Sequence, residues 1–500
     1  MKTNILILMG CIILLSFHSC YGDLEGENYD QIYPENFYKN ESDVNAAATT
    51  AYHRFRINTY GGGGIYSHGR GGINIFTEMC TDIMDCQWGD GGTWNMYHTH
   101  GWTAANNDQA TEKYGHYKYI SQFRNIMLNI EASSVSDEVK VKYVSQVRAL
   151  RAWLMYLMYD LFGPVPIASD EILKGDPEQK VIIPRPSKEE YVAQMVSELK
   201  LAIADLPLPK DTEWGRMDRG IANMMLLKVY MIDGQWGEAE KIARELQKPD
   251  YGYKLLDDYY DCFSLDTEKS NGENMWSIIC TYDYGVNGWV THVMTGTCPY
   301  PNANIEKWSG YRMPWAFYHT FEQGKDKRLD NIIAEYVSTK DGEIINEANP
   351  TTELVKGALP LKYMVDPGQK GDRGAIDVPI FRYSDVLLSL AECIARSKNG
   401  APTQEAMDLI NQVRGRSGLD PLKLSDYGDP QKFYDMLLLE RGHELYCEGH
   451  RRTDLIRFGK YIEFNKKIPN SQTADYKVLF PIGNKFIVEG QGQVIQNTGY

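Results

Sequence analysis

Cysteine is scarce, with nine in 500 residues. Cys11 and Cys20 fall in the first twenty positions, and the others (Cys80, Cys86, Cys262, Cys280, Cys298, Cys393 and Cys447) are scattered and odd in number. That excludes a dense disulfide framework, although Cys80 and Cys86 are close enough in sequence to pair. Basic blocks are also missing. With 52 Lys and Arg against 67 Asp and Glu the net charge is −15. No basic run exists to replace phosphate counterions, which argues against nucleic acid as a partner. Beyond the first 17 residues no segment approaches the roughly 18–20 unbroken apolar residues that a bilayer crossing requires.

Catalytic signatures are thin. There is no phosphate-binding glycine loop, because Gly61–Gly64 and Gly69-Arg70-Gly71-Gly72 lack the spacing, and no G-x-S-x-G elbow. His443-Glu444 is followed next by His450, too far for a zinc-protease helix. His98-Thr99-His100 offers two metal ligands, but no acidic or cysteine partner stands at short spacing. Thr81-Asp82-x-x-Asp85 reads as an acidic capping turn before it reads as a cation site. A glycosidase needs two opposed carboxylates, and the many Asp and Glu single out no pair. Nothing in the sequence supports an enzyme or calls for a cofactor.

What is present begins at the N-terminus. Met1-Lys2-Thr3 precedes an apolar run from Ile5 to Phe17, the length of a signal-peptide core. Leu14-Leu15-Ser16-Phe17-His18-Ser19-Cys20 resembles a bacterial lipobox. Residues 1–19 are accordingly read as a signal peptide, Cys20 as the lipidation site, and 20–40 as lipid anchor plus acidic tether. An ordinary secretory signal with an incidental cysteine would share the apolar core. Residues 41–500 are then one large domain attached to a membrane through lipid alone.

Helical periodicity marks 116–132, 136–162, 188–206, 222–231 and 236–246, then 383–396 and 403–416. Gly163-Pro164-Val165-Pro166 ends the second of these, since proline cannot continue a helix. Ala222-x-x-Met225-Leu226-Leu227-x-x-Tyr230 followed by Gly234-Gln235-Trp236-x-x-Ala239 resembles a tetratricopeptide unit. The expected fold is mostly α: a tetratricopeptide-like helical-repeat scaffold with long irregular loop insertions. Trp153 and Trp236 lie on periodic helices and are expected in the core.

The insertions, at about 60–115 and 270–380, are rich in Gly, Asn, Tyr and Trp and show no long period. Loops of that length without a pattern of their own are usually functional, and their aromatic content argues against disorder. The whole chain carries 34 Tyr and 10 Trp. Such flat rings offer faces on which a ligand stacks, with amides and charged groups beside them to bond its polar atoms. The first block supplies Trp88, Trp94, Tyr97 and Trp102 beside Arg70 and Asn95; the second supplies Trp289, Tyr300, Trp308, Tyr311 and Trp315. Any of these rings could instead pack the loops onto the scaffold.

Residues 440–460 read ERGHELYCEGHRRTDLIRFGK. Glu440, Glu444 and Glu448, spaced by four, would stack on one helical face and repel unless cations face them. An ion-pair network with Arg441, Arg451, Asp454 and Arg457 at a helix end is therefore expected. The same string resembles the E-R-x-x-E-L-x-x-E-G-x-R-x-x-D-L-x-R pattern of the SusD/RagB family at every fixed position. Arg148–Ala152 followed by Leu161-Phe162-Gly163-x-Val165-Pro166 is similar to that family's helix and G-x-V-P turn. Pro481-Ile482 and Gln496–Tyr500 resemble its C-terminal motifs, with Gly483 and Thr498 in place of the usual prolines.

The resemblance implies a surface-exposed outer-membrane lipoprotein that binds oligo- or polysaccharide without cleaving it. It also implies delivery of that ligand to a TonB-dependent SusC-like β-barrel transporter. Site residues do not carry over position by position, because the family's ligand face varies. Oligopeptide capture of the RagB type is the nearest alternative, and a surface hydrolase a more distant one. A tryptophan platform favours sugars; peptide capture would lean on strand edges and charged pockets.

Overall fold

The structure, a computed structural model, describes residues 37–57, 64–176, 179–265, 272–398 and 400–500. The expected signal peptide, Cys20 and most of the tether lie outside the described residues. Nine helices among the described residues reach 11 residues or more. They are α1 (Glu41–Arg54), α2 (Lys118–Ala132), α3 (Asp137–Phe162), α4 (Lys188–Asp205), α5 (Arg219–Ile232), α6 (Trp236–Leu246), α7 (Tyr383–Ser397), α8 (Gln404–Arg416) and α9 (Pro430–Glu444).

Local signals start and stop these helices. The Ser136 hydroxyl accepts from Val139 N at the head of α3, beside Asp137 and Glu138 in the first turn. Ser187 and Glu190 close a reciprocal capping box on α4. Gly163 leaves α3 at a φ of 73°, and Pro164 follows. Helix α2 starts two residues later than its periodicity suggests, because a 3-10 turn occupies Gly115–Tyr117.

Each helix from α2 to α8 packs on the next, and α9 packs on both α7 and α8. One continuous core results, as a helical-repeat scaffold requires. Trp153 and the methionines of α5 are buried in it, whereas Trp236 is half-buried. Helices α6 and α7 touch although the second insertion separates them in sequence. That insertion is closed at its base, where Asn274–Ile278 pairs antiparallel with Val378–Arg382. Among the described residues no helix is long and apolar enough to cross a membrane.

The expected ion-pair network exists and is buried outright. Arg382 binds Glu273 at 2.9 Å, Glu444 at 2.7 Å and Glu448 at 2.7 Å. Arg416 reaches Glu444, Arg328 and Arg414 hold Glu440, and Lys362 holds Glu448. Arg441 and Arg457 share Asp454, while Arg451 crosses to Asp82. Two details differ from expectation. The cations that face the three glutamates are Arg382, Arg416, Arg328, Arg414 and Lys362, whereas Arg441, Arg451 and Arg457 pair with other carboxylates. Helix α9 ends at Glu444, so Glu448 is not on its face. Cys447 and Gly449, at φ 61° and 87°, turn the chain so that Glu448 still meets Arg382. Burial alone would raise the Glu444 carboxyl, but Arg416, Arg382 and Arg328 together hold it well below the ordinary range.

Candidate functional site

The two insertions meet. Asp85–Cys86 pairs antiparallel with Tyr311–Arg312, and Gln87 N continues the ladder to Gly310 O at 2.9 Å. This ladder carries Trp88 to the molecular surface. Its ring lies directly on Gly310, where any Cβ would overlap the indole. The Trp88 Nε1–H donates to Trp308 O at 2.6 Å, so the backbone of one insertion fixes the ring of the other. The two indoles stand 6.4 Å apart at 56°. Both are half-buried, each with part of its surface in solvent.

Beneath them lies a floor of aromatic rings. His292 is 5.5 Å from Trp88 and 4.8 Å from Trp308, and stacks on Tyr311 at 5.2 Å and 10°. Burial pushes the His292 imidazole down to about 4, so it is neutral at pH 7, and its Nδ1 pairs with Gly288 O at 2.8 Å. Polar groups rim the platform. The Trp308 Nε1–H donates to Glu306 at 2.8 Å, and Ser309 links Glu353 at 3.0 Å to Arg312 at 2.9 Å. Asp85 meets Lys356 at 2.9 Å, and His98 stands 3.7 Å from it. Beyond Trp88 the chain turns through Gly89, Asp90, Gly91 and Gly92, all exposed, with open space where the three glycines would carry side chains.

The sequence candidates divide sharply. Trp88 and Trp308 form the platform, and Asn95 is exposed on the short helix Thr93–His98 behind the glycine turn. Trp94, Tyr97, Trp102 and Trp289 are buried and present no free face for a ligand. Their polar atoms are bonded inside the protein: Trp94 to Asp90, Tyr97 to Ala110 N, Trp102 to Tyr500 and Trp289 to Pro360 O. For these four the packing role holds, because each fills the space between a loop and the scaffold.

Trp315 is half-buried but belongs to another cluster, with Tyr318 at 5.5 Å and His319 at 6.1 Å. Tyr300 keeps its hydroxyl buried, which raises it to about 12, and has no ring contact with the platform. Arg70 is exposed, and its carbonyl accepts from Lys113. Sequence reasoning overlooked Glu306 and His292; the Glu306-Lys307-Trp308 adjacency was the available signal for the first.

Other motifs have structural partners. His100 is buried between Thr473 at 2.9 Å and Cys80 O at 3.0 Å. Cys80 and Cys86 are separate free thiols. Among the described residues no group of three or more His, Cys, Asp or Glu is placed to hold a metal ion.

A model of the SusD family matches residues 264–500. The SusD-like protein P25 of Formosa agariphila is 23% identical over 95% of both chains. The starch-binding protein SusD of Bacteroides thetaiotaomicron is 22% identical over 76% of each. The chain belongs to the SusD/RagB family of outer-membrane nutrient-binding proteins. Among solved structures, surface glycan-binding protein A of Bacteroides thetaiotaomicron, in complex with laminarihexaose, superposes with a TM-score of 0.69 at 19% identity. That alignment covers 91% of this chain and 99% of the other. In this SusD/RagB chain the matched region holds Trp308 and all of the ion network described above except Asp82, whereas Trp88 comes from the segment before it.

Proposed function

We propose that this protein captures oligo- or polysaccharide at the outer-membrane surface, without cleaving it, on the platform of Trp88 and Trp308. The observation that carries the reading is the pair of part-exposed indoles, fixed on a glycine-backed ladder and rimmed by Glu306, Glu353 and Asp90. Two tilted aromatic planes suit successive rings of a curved chain, and carboxylates suit its hydroxyls. The starch-binding and laminarihexaose-bound relatives support a saccharide ligand. Family membership supports the further steps. Cys20 carries the lipid that holds the protein to the membrane, and the captured glycan passes to a TonB-dependent SusC-like transporter.

Isothermal titration against a panel of neutral polysaccharides and oligopeptides tests the reading, with Trp308→Ala and Trp88→Ala alongside. Saccharide binding without breakdown, weakened at least about tenfold in both variants, is expected, since aromatic stacking contributes on the order of 1–2 kcal/mol per ring. Binding of peptides alone, or saccharide binding untouched by both substitutions, would overturn it.

A further inference from the structure

A cleft of about 510 Å³ opens between the end of α1, the Trp214–Arg216 turn and the Thr281–Gly285 turn. It shares no residue with the Trp88–Trp308 platform. Its walls are fixed. The Trp214 indole N–H donates to Asp377 Oδ2 at 2.9 Å, and Asp377 Oδ1 accepts from Cys280 N at 2.8 Å, so one carboxylate ties both sides. Gly215, at φ 83°, closes on Ile279 with no room for a side chain. On the other lip the Thr281 hydroxyl and backbone hold the turn that lifts Tyr284, which is 82% exposed.

The charges of this cleft run against the molecule. Three guanidiniums line it, Arg56, Arg216 and Arg373, against the carboxylates Glu213 and Asp283, in a chain of net −15. Arg216 donates to the Asn45 amide oxygen at 2.9 Å, lies 5.1 Å over the Tyr52 ring, and keeps Glu213 only at 4.0 Å. Arg373 donates to the Tyr282 and Asp283 carbonyls at 2.7 and 2.9 Å. Neither forms a close carboxylate fork. The neighbouring His53 imidazole is pushed down by burial and then by Arg56 and Arg54, in keeping with a positive field.

We infer that this cleft is a second saccharide site, selective for sugars that carry a carboxylate. Trp214 and Tyr284 supply ring faces, and a planar guanidinium matches a carboxylate with two parallel bonds, which a neutral hydroxyl cannot reproduce. A saccharide carboxylate would complete the pairing of Arg216 and Arg373 that main-chain and amide oxygens leave short of a counter-charge. Binding here is independent of the neutral-glycan reading of the platform.

The test is titration of the full chain in detergent with trigalacturonate and with its methyl ester, which removes the charge and leaves the sugar backbone intact. Trigalacturonate is expected to bind, its ester at least about tenfold more weakly, with affinity falling as salt rises. Tyr284→Ala, at a site too exposed to disturb folding, and Arg56→Gln should each weaken the acid about tenfold. Trp308→Ala should leave it unchanged. Absence of trigalacturonate binding, equal binding of acid and ester, or loss in Trp308→Ala with none in the cleft variants would overturn the inference. Neutral-glycan binding, measured on the same preparations, reports on the platform separately.

Discussion

The Arg382 side chain is fully buried and faces Glu273, Glu444 and Glu448 at once. Removing it would leave three buried carboxylates short of a counter-charge, whereas its own burial is already offset. Arg382→Met should therefore lower the unfolding free energy by about 3–5 kcal/mol, read from the shift of a urea transition. Glu78 is the opposite case. Burial raises its carboxyl to about 8, despite bonds from the Arg451 and Gly449 N–H groups, and its Oε2 has no partner. The folded protein thus holds at pH 7 a proton that the unfolded chain releases near the ordinary value. Glu78→Gln should leave stability at pH 5 nearly unchanged and raise it at pH 8 relative to the parent.

Turns govern the next scale. Gly310 is the seat of the Trp88 ring, so Gly310→Ala must displace the indole or bend the Tyr311–Arg312 ladder. Loss of glycan affinity comparable to Trp88→Ala, with an unchanged far-ultraviolet spectrum, is the expected outcome. Gly449 combines a φ of 87° with Asn74 Cβ at 3.0 Å from where its own Cβ would sit. Gly449→Ala should cost about 1–3 kcal/mol in denaturant titration through backbone strain alone.

These elements also show what a sequence makes legible. Helices α3 and α4 announce themselves because their caps, period and stops all lie within one segment. The platform did not, because exposure is decided by distant partners. Trp102 is buried against Tyr500, 398 positions away, and Trp289 is anchored to Pro360. Trp88 and Trp102 look alike in a glycine-rich string, and only the fold separates them. The aromatic chemistry was readable, as was the need for cations opposite Glu440, Glu444 and Glu448; that the last of these stands beyond the helix was not.

For the whole molecule, pH acts from two sides. Burial would raise Glu392, Glu448 and Asp385, but Arg457 and Arg396, Arg382 and Lys362, and Lys228 and Arg441 respectively hold them below the ordinary range. Their contribution is complete above the unfolded value and is lost as pH falls through the folded one. Glu78, at about 8, and Asp218, raised to about 7 by burial, work in reverse: stability declines as pH rises from the unfolded value through theirs. Urea transitions across pH should trace a dome with its maximum near about pH 5, falling below about pH 4 and more gently toward pH 8.

The ladder that joins Asp85 to Arg312 has a consequence in time. Its strands lie far apart along the chain, and closing so long a loop is entropically slow to reward. The helices between them, α2 to α5, rest largely on neighbours near in sequence. During refolding the far-ultraviolet signal should therefore recover first, and the capacity to hold a glycan should arrive in a later kinetic phase. On the platform proposed above, ligand recognition is then a certificate of completed folding: a chain arrested with its ladder open is expected to have most of its helices and no affinity.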